Sequence, residues 1–262
     1  MTILNKILKK NTQAVALLKS RTTEIQLEAI ANKQPPARSL VKVIQSCQHV
    51  PVIAEIKKAS PSRGTILADA DIVDIARQYQ KGGAVAISVL TESDFFNGSI
   101  DDLKTVRQAV DILVLRKDFI IDPIQVLEAR AGGADSVLLI AAALEFDKLQ
   151  SLYDLCLDLG MIPLVEVHNS DELTTVMQLH PQLIGINNRN LKTMAVDIQT
   201  SANLRQTIPD TVCVVGESGV SSPDHVDYLQ KAGINAFLIG TALMTSGHPQ
   251  ETLKILNGLK KL

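Results

Sequence analysis

The sequence contains no tryptophan, and only 3% of its 262 residues are aromatic. Its core must therefore be built from Val, Ile, Leu and Ala, the side chains that fill parallel sheets and barrel interiors. No apolar run approaches the ~20 residues needed to span a bilayer. The N-terminal residues also lack the apolar stretch and the small-residue cleavage site of a signal peptide. These absences lead us to expect a soluble, cytoplasmic protein.

Cysteine is scarce too, and Cys47, Cys156 and Cys213 are far apart in the chain. Since none forms a CxxC pair, a reducing compartment is the simplest expectation. The five histidines are equally scattered, with no pair at the spacing of metal ligands, so no metal site is expected. The formal net charge is only −2, which predicts neither a nucleic-acid partner nor a membrane partner. An anionic ligand would have to be held by a local site.

Eight short apolar runs recur along the chain at intervals of roughly 20 to 35 residues, the spacing of βα units. Most are continuously apolar, as expected for strands that are buried on both faces. They are Pro51–Ile56, Ala84–Leu90, Ile112–Leu115, Ser136–Ala141, Pro163–Val167, Leu183–Asn187, Thr211–Val215 and Ala236–Ile239.

The segments between these runs carry the signals of helix starts and stops. Asp71–Gln80 has a helical apolar stripe, and a glycine pair follows it. Asp122-Pro123 and Ser222-Pro223 each combine an N-cap residue with proline at the first helical position. Because the helix–glycine–strand pattern repeats, it favours one α/β fold, a (β/α)8 TIM barrel, over two unrelated domains.

The N-terminal segment 1–50 does not fit the repeat. It predicts a helical extension, with a helix from Ile3 to about Ile30 and a loop at Pro35-Pro36. The extension could cover the bottom of the barrel or lie near its mouth, and the sequence leaves both open. A last helix is predicted over Pro249–Leu259, so residues 1–262 are expected to form a single catalytic domain.

Polar residues interrupt five of the apolar runs at their C-terminal ends. In a (β/α)8 barrel these ends surround one rim, where active sites form, so the side chains are expected to converge. Structural ion pairs or solvated charges are a fair alternative for any one residue. For the whole set that alternative is weaker, because burying an unpaired ion costs several kcal/mol. Arg116 is the exception, and we expect it to face the opposite side. The polar residues at the rim are Glu55, Lys57, Lys117, Glu166, Asn187, Arg189, Glu217 and Ser218.

Glycines after the last two predicted strands indicate a phosphate site. Gly219 follows Ser218, and Gly240-Thr241 opens a short helix-compatible segment, where many barrels bind phosphate through backbone N–H groups. The alternative is that these glycines only form tight turns. The polar segment 60–64, SPSRG, is either a mobile lid or a simple connection.

Seven segments together resemble indole-3-glycerol phosphate synthase, in that family's order and at its spacing. They are AEIKKASPSRG, TESDFFNGS, LRKDFIID, LVEVH, GINNRNLKT, ESGVSS and LIGTALM, and they cover the chain from the first predicted strand onward. The N-terminal helical segment is similar to the family's extra helix. Leu113, Gly216 and Thr241 depart from the family's usual residues. None of these departures removes a charged rim residue, so they affect the phosphate site more than the activity.

The resemblance implies ring closure of 1-(2-carboxyphenylamino)-1-deoxyribulose 5-phosphate, with release of CO2 and water and without a cofactor. It implies that Lys117 protonates the developing oxyanion and that Lys57 holds the substrate carboxylate. It also implies that Glu166 takes part in proton transfer, while Glu55 and Asn187 position Lys117 and the hydroxyls. The division of acid and base roles between Lys117, Lys57 and Glu166 stays open.

The resemblance also implies the binding residues for a phosphorylated small molecule. Glu217 would bind a sugar hydroxyl or orient a lysine, and Ser60 and Arg189 would complete the pocket. Phe95 and Phe96 either wall the aromatic ring of the substrate or anchor their own loop. A monomer is compatible with the sequence, which does not decide the oligomeric state. The phosphate site is expected at Ser218, Gly219, Gly240 and Thr241.

Two other functions are compatible with the residues alone. A strand-end Lys117 in apolar surroundings would suit an aldolase that forms a Schiff base, or a related sugar-phosphate isomerase. Trapping of the substrate on Lys117 by borohydride would identify such an enzyme. A non-catalytic scaffold is the second alternative, but a scaffold gains nothing from burying the rim charges.

Overall fold

The computed structural model describes residues 2–61, 64–66 and 71–260. Eight parallel strands close into a barrel, each paired with its sequence neighbours, and the first strand pairs with the eighth. This confirms the predicted (β/α)8 barrel, and the strands lie within two residues of their predicted bounds. The strands are Val52–Ile56, Ala86–Leu90, Leu113–Lys117, Ser136–Ile140, Leu164–Val167, Leu183–Asn187, Cys213–Glu217 and Ala236–Ile239.

Helices follow the strands and cover the outside of the barrel. The signals at their starts act as predicted: Asp71 accepts hydrogen bonds from the first turn of its helix, and Asp122 forms a capping box with Gln125. The last helix ends at Leu256 rather than Leu259. The helices after the extension are Ile72–Lys81, Ile100–Ala109, Pro123–Ala131, Phe146–Asp158, Ser170–Met177, Gln199–Arg205, Pro223–Lys231, Thr241–Met244 and Pro249–Leu256.

Alternate residues of each strand face the two sides of the barrel wall, because side chains alternate along an extended backbone. In the third strand, Leu113 and Leu115 pack in the barrel interior, whereas Val114 packs against the helices. Lys117 continues the inward series at the top of the strand. The same alternation in the fifth strand turns Leu164 and Glu166 inward. Polar residues that occupy inward-facing positions at the top of a strand therefore point into the barrel mouth.

The N-terminal extension is helical from Ile3 to Ala31, as predicted, but two helices rather than one cover this range. Helix Ile3–Arg21 ends at Thr22, and Thr23 starts helix Glu24–Ala31 with a capping box to Gln26. The capping box satisfies free backbone N–H groups, so it favours a new helix start over continuation. A third helix, Leu40–Ser46, follows the proline loop and was not predicted.

The extension covers both ends of the barrel, so neither location proposed for it is wrong. Leu40 and Ile44 are buried against the bottom of the interior, next to Ile53 and Leu113. At the opposite end, the first turns of helix Ile3–Arg21 reach the mouth. None of the helices in the part of the chain that the structure describes has both the length and the apolar character to cross a bilayer.

Candidate active site

The structure brings all twelve predicted site residues to the lining of one cavity of about 530 Å³ at the barrel mouth. Each comes from the C-terminal end of a strand or from the loop that follows it. The segment 60–64 also reaches the cavity, where Ala59–Ser60 pairs with Gly64–Thr65 in a small hairpin. Ser62 and Arg63 of that segment lie outside the described residues. The twelve are Glu55, Lys57, Ser60, Lys117, Glu166, Asn187, Arg189, Glu217, Ser218, Gly219, Gly240 and Thr241.

Lys117 lies between two carboxylates at the centre of the cavity floor. Its Nζ is 3.5 Å from Oε2 of Glu166 and 3.6 Å from Oε2 of Glu217. Burial lowers the pKa of Lys117, but the charges of Glu166, Glu217 and Glu55 outweigh it and raise the pKa above its ordinary value. Lys117 is therefore an ammonium ion with N–H bonds available to a ligand.

Glu166 and Glu217 carry different protonation states although they share Lys117. Burial raises the pKa of Glu166, but Lys117, His168 and Asn187 reverse this and lower it below the usual range. Burial and the nearby charge of Glu166 raise the pKa of Glu217 to about 8. The pKa of Glu217 thus lies above that of Glu166, because the charge of Glu166 opposes a second charge beside it. Glu166 ionises first as pH rises, and Glu217 holds its proton longer.

Two glycines make room for the carboxyl groups. A Cβ atom on Gly185 would overlap Oε1 of Glu217, and a Cβ atom on Gly240 would overlap Oε1 of Glu55. Glu55 in turn forms an ion pair with Lys57, two residues along the same strand and on the same face. Gly240 therefore has a packing role here in addition to any role in a turn.

The loop after the seventh strand has a left-handed backbone at two consecutive residues, Ser218 with φ 63° and Gly219 with φ 84°. A Cβ atom on Gly219 would lie only 2.7 Å from Cγ1 of Val196. Asn188 holds this loop, because its Nδ2 donates to the carbonyl of Ser218 at 2.9 Å. Its Oδ1 accepts from the backbone N and the hydroxyl of Ser201. The Ser218-Gly219 loop is thus set in one conformation facing the cavity.

Apolar side chains form the outer wall of the cavity. Ile3, Leu4 and Ile7 of the first helix line it, together with Phe96. The Phe96 ring lies 6.1 Å from the ring of Phe119, centroid to centroid. The position of Phe96 therefore supports the first of its two predicted roles, a wall for the aromatic ring of a substrate.

Phe95, the neighbour of Phe96 in the sequence, belongs to the loop rather than to the cavity wall. The ring of Phe95 does not line the cavity, and its backbone N donates to the buried carboxylate of Glu92 at 2.7 Å. Phe95 is part of the turn that Glu92 organises, which is the alternative that the sequence left open.

Arg116 faces away from the cavity, as predicted. Its guanidinium forms ion pairs with Asp118 at 3.0 Å and with Glu128 at 2.9 Å, between the strand and the helices. Adjacent strand residues point to opposite sides, so Lys117 and Arg116 have separate environments. Arg116 is structural.

Sequence reasoning missed two residues behind the lining. His168 contacts Glu166 on the side away from Lys117, and Asn188 holds the Ser218 loop. Both lie within recognisable segments, LVEVH and GINNRN. Neither carries a signal of its own, because a single histidine or asparagine after a strand is ordinary. Among the described residues, no group of three or more His, Cys, Asp or Glu is arranged to hold a metal ion.

The protonated state of Glu217 predicts a pH-dependent effect on stability. Its pKa is raised from 4.5 to about 8, so the folded state binds this proton more tightly and loses stability as pH rises through that interval. Glu217→Gln removes this titration. At pH 8 we expect the variant to melt ~2–4 °C above the wild type, which corresponds to a gain of about 1 kcal/mol in the free energy of unfolding. At pH 5 we expect this difference in melting temperature to disappear. Thermal melts at both pH values measure the effect, and an equal difference at the two would contradict it.

Comparison with known proteins gives a consistent result. The family model described as indole-3-glycerol phosphate synthase matches residues 4–256. The indole-3-glycerol phosphate synthase of Kineococcus radiotolerans is 45% identical over 257 residues, 97% of this chain and 94% of that protein. The one from Dechloromonas aromatica is 46% identical over 252 residues, 94% of this chain and 95% of that protein.

Among solved structures, thiamine phosphate pyrophosphorylase from Pyrococcus furiosus superposes with a TM-score of 0.60 at 16% identity. The alignment covers 80% of this chain and 94% of that one. At this identity the likeness concerns the barrel fold alone.

Proposed function

The chain belongs to the indole-3-glycerol phosphate synthase family, and we propose that the cavity at the barrel mouth is where it carries out the reaction of that family. The chain is a carboxy-lyase of tryptophan biosynthesis. Its reaction converts 1-(2-carboxyphenylamino)-1-deoxyribulose 5-phosphate into indole-3-glycerol phosphate, CO2 and water. The observation that carries the site assignment is the position of the Lys117 ammonium between Glu166 and Glu217, inside a cavity that the predicted binding residues also line.

Ring closure requires an acid beside the sugar carbonyl. The ring carbon that bears the carboxylate attacks C2 of the sugar, and the carbonyl oxygen takes up negative charge. Lys117 donates its proton to this oxygen, since its raised pKa keeps it charged until the oxyanion forms. Lys57 holds the substrate carboxylate on the other side of the ring. The carbon–carboxylate bond then breaks, CO2 leaves, and its electron pair restores the aromatic ring.

Dehydration requires one proton donor and one proton acceptor. The hydroxyl at the former C2 leaves as water after protonation, and a base removes a proton from the adjacent carbon to complete the indole ring. We assign the base role to Glu166, because its lowered pKa keeps it ionised. Lys117 gave its proton to the oxyanion during ring closure, so it takes up another proton from solvent after CO2 leaves. It then protonates the leaving hydroxyl, with the Glu217 carboxyl group beside it.

Two further residues position these groups. Asn187 favours the ionised form of Glu166, and its side-chain oxygen accepts from the backbone N of Arg189 at 3.0 Å, which ties the sixth strand to the reaction centre. Glu55 holds Lys57 in place through their ion pair. Phe96 and the first helix wall the aromatic ring of the substrate.

The phosphate is assigned to the loops after the seventh and eighth strands, at Ser218-Gly219 and Gly240-Thr241, with Ser60 and Arg189 completing the pocket. Both loops lie on the same side of the cavity lining, and the eighth strand pairs with the seventh. Backbone N–H groups in left-handed turns and at a helix start are suited to phosphate oxygens.

Thr241→Ala is expected to raise KM by ~10-fold and to change kcat little, because a lost phosphate contact weakens substrate and transition state alike. Steady-state kinetics over a range of substrate concentrations separates the two constants. Thr207→Ala is a matched control, since the hydroxyl of this exposed threonine donates to the backbone of its own helix end and Thr207 does not line the cavity. A loss confined to kcat would show that the phosphate is held elsewhere.

The site is complete within one chain, so a monomer is sufficient for the proposed mechanism. The proposal treats residues 1–262 as one catalytic domain, with segment 1–50 closing both barrel ends. A cytoplasmic location suits a biosynthetic enzyme of this kind.

The direct test is product formation by the purified protein. Indole fluorescence should appear when the carboxyanilino sugar phosphate is added, and the chain itself contains no tryptophan to obscure it. Borohydride added during turnover should leave Lys117 unmodified, because no step uses a Schiff base. Absence of indole fluorescence, or a covalent adduct on Lys117, would overturn the assignment.

A further inference from the structure

We propose that His168 is a positioning residue for this reaction, an imidazolium that bridges Glu166 and Glu172 behind the cavity and holds Glu166 ionised and oriented. The proposal rests on the base role assigned to Glu166 above. It extends the site by one layer, from a residue in the cavity lining to a histidine and a carboxylate that do not line the cavity.

The contacts of the imidazole ring carry the proposal. Nε2 of His168 lies 3.2 Å from Oε1 of Glu166, and Nδ1 lies 3.0 Å from Oε2 of Glu172. The His168 side chain is only 7% exposed, so water does not compete effectively for either nitrogen. Nδ1 is within hydrogen-bond distance of Glu172, whereas Nε2 is in ion-pair contact with Glu166 and has no hydrogen-bond partner among the described residues. The ring therefore contacts both carboxylates, one through each nitrogen.

Glu172 is itself fixed in place. Its Oε2 also accepts from the backbone N of His168 at 2.8 Å, and its Oε1 accepts from Nδ2 of Asn169 at 2.6 Å. It lies in the first turn of helix Ser170–Met177, where the positive end of the helix dipole favours a negative charge. Glu172 is thus a rigid anchor for the imidazole.

A carboxylate beside each ring nitrogen favours the form in which both nitrogens carry protons. A neutral imidazole has one N–H group and one lone pair, so it would turn a lone pair towards one of the carboxylates. Burial lowers the pKa of His168, but the contacts with Glu166 and Glu172 raise it to about 10. At neutral pH the ring is a cation.

The cation acts on Glu166 from the side away from the substrate. Oε1 of Glu166 faces His168, whereas Oε2 faces Lys117 and has no hydrogen-bond partner among the residues described. Of the other groups around Glu166, Lys117 and Asn187 also favour its ionisation, whereas burial opposes it. His168 therefore supplies part of the positive charge that keeps Glu166 a base, and leaves Oε2 available to the substrate.

The kinetic test compares His168→Leu with His168→Gln. Loss of the cation should lower kcat of the leucine variant by ~10-fold with little change in KM, since Glu166 acts in the chemical step. The acidic limb of its kcat–pH profile should move upward by at least ~1 pH unit, because Glu166 then becomes protonated more easily. His168→Gln keeps one N–H donor and should recover part of kcat.

A matched pair on the neighbouring helix separates the bridge from the helix dipole. Glu172→Gln removes the anchor charge and should change kcat and the pH profile in the same direction as His168→Leu, by a smaller factor. Asp171→Asn removes an acid from the same helical turn, exposed and without contact to His168, and should leave both unchanged. If Glu172→Gln and Asp171→Asn had equal effects, Glu172 would act only as a negative charge at the helix terminus, and the proposed bridge through His168 would be wrong.

Nitrogen-15 NMR of histidine-labelled protein gives a readout that does not depend on turnover. At pH 8, one of the five histidines should show two protonated ring nitrogens, and this signal should be missing in His168→Gln. In Glu172→Gln its titration midpoint should fall. A His168 ring that is neutral at pH 8 in the wild type would overturn the proposal.

These experiments also distinguish a failure of the His168 proposal from a failure of the base role assigned to Glu166. If Glu166→Gln leaves turnover unchanged, the base role of Glu166 fails, whatever His168 does. If Glu166→Gln loses turnover while folded His168→Leu, His168→Gln and Glu172→Gln all behave as the wild type, the positioning role of His168 alone is wrong.

Discussion

Lys117→Ala is expected to lower kcat by at least ~10²-fold in a protein that remains folded, the loss typical for removal of a positioned general acid. The substitution removes the ammonium group that lies between Glu166 and Glu217, which is the proton donor assigned to the oxyanion. The fold should persist, because Lys117 ends its strand and the apolar interior below it is unchanged. Single-turnover kinetics measures the loss of rate, and circular dichroism measures whether the variant remains folded.

Lys58→Ala is the control for the loss of a lysine near the barrel mouth. Lys58 also follows a strand and forms an ion pair, with Asp102 at 2.8 Å, but it does not line the cavity. Its loss should leave kcat within about twofold of the wild type, since this partly buried ion pair lies outside the cavity and does not touch the reacting groups. Turnover at the wild-type rate in folded Lys117→Ala would remove Lys117 from the mechanism.

Glu166→Gln is expected to lower kcat by ~10²–10⁴-fold with the shape of the side chain preserved. The amide cannot accept the proton that dehydration releases, and it removes the negative charge that faces both Lys117 and His168. Because the pKa of Glu166 lies below its usual range, wild-type activity should show no limb from this residue at neutral pH. Single-turnover experiments should show the ring-closed, undehydrated intermediate accumulating if closure still proceeds.

Glu128→Gln is the matched control among the carboxylates. Glu128 also pairs with a buried cation, Arg116 at 2.9 Å, but on the helix side of the barrel wall. We expect it to affect stability and to leave kcat nearly unchanged. A Glu166→Gln variant no slower than Glu128→Gln would mean that another group accepts the proton.

The residues of the cavity lining were predictable because they depend on two local rules. Continuous apolar runs mark strands buried on both faces, and parallel βα units place every strand end at the same rim. Glu55 and Lys57, two residues apart in one strand, share a face for the same reason. The orientation of Arg116 was predictable too, because it is adjacent to Lys117 and adjacent strand residues face opposite sides of the barrel wall.

The residues behind the lining were not predictable in this way. His168 and Asn188 act through contacts with residues that were already candidates, and such contacts depend on side-chain distances that no spacing encodes. The break before Thr23 lies in the polar stretch 19–24, where no apolar residue marks a change of helix. The capping box between Thr23 and Gln26 starts the second helix there. Phe95 and Phe96 are adjacent and chemically identical, so only packing could separate their roles.

The amino-acid sequence was sufficient to predict the number and order of the strands and the common rim for their polar ends, because these follow from periodicity and from the fixed handedness and direction of βα connections. The family was recognisable from the seven motif segments. Only the folded chain shows which charges meet, that Glu166 ionises before Glu217, and that the N-terminal helices close both ends. Protonation and pairing depend on burial and on distances of a few ångströms, which arise only when segments far apart in the chain are packed together.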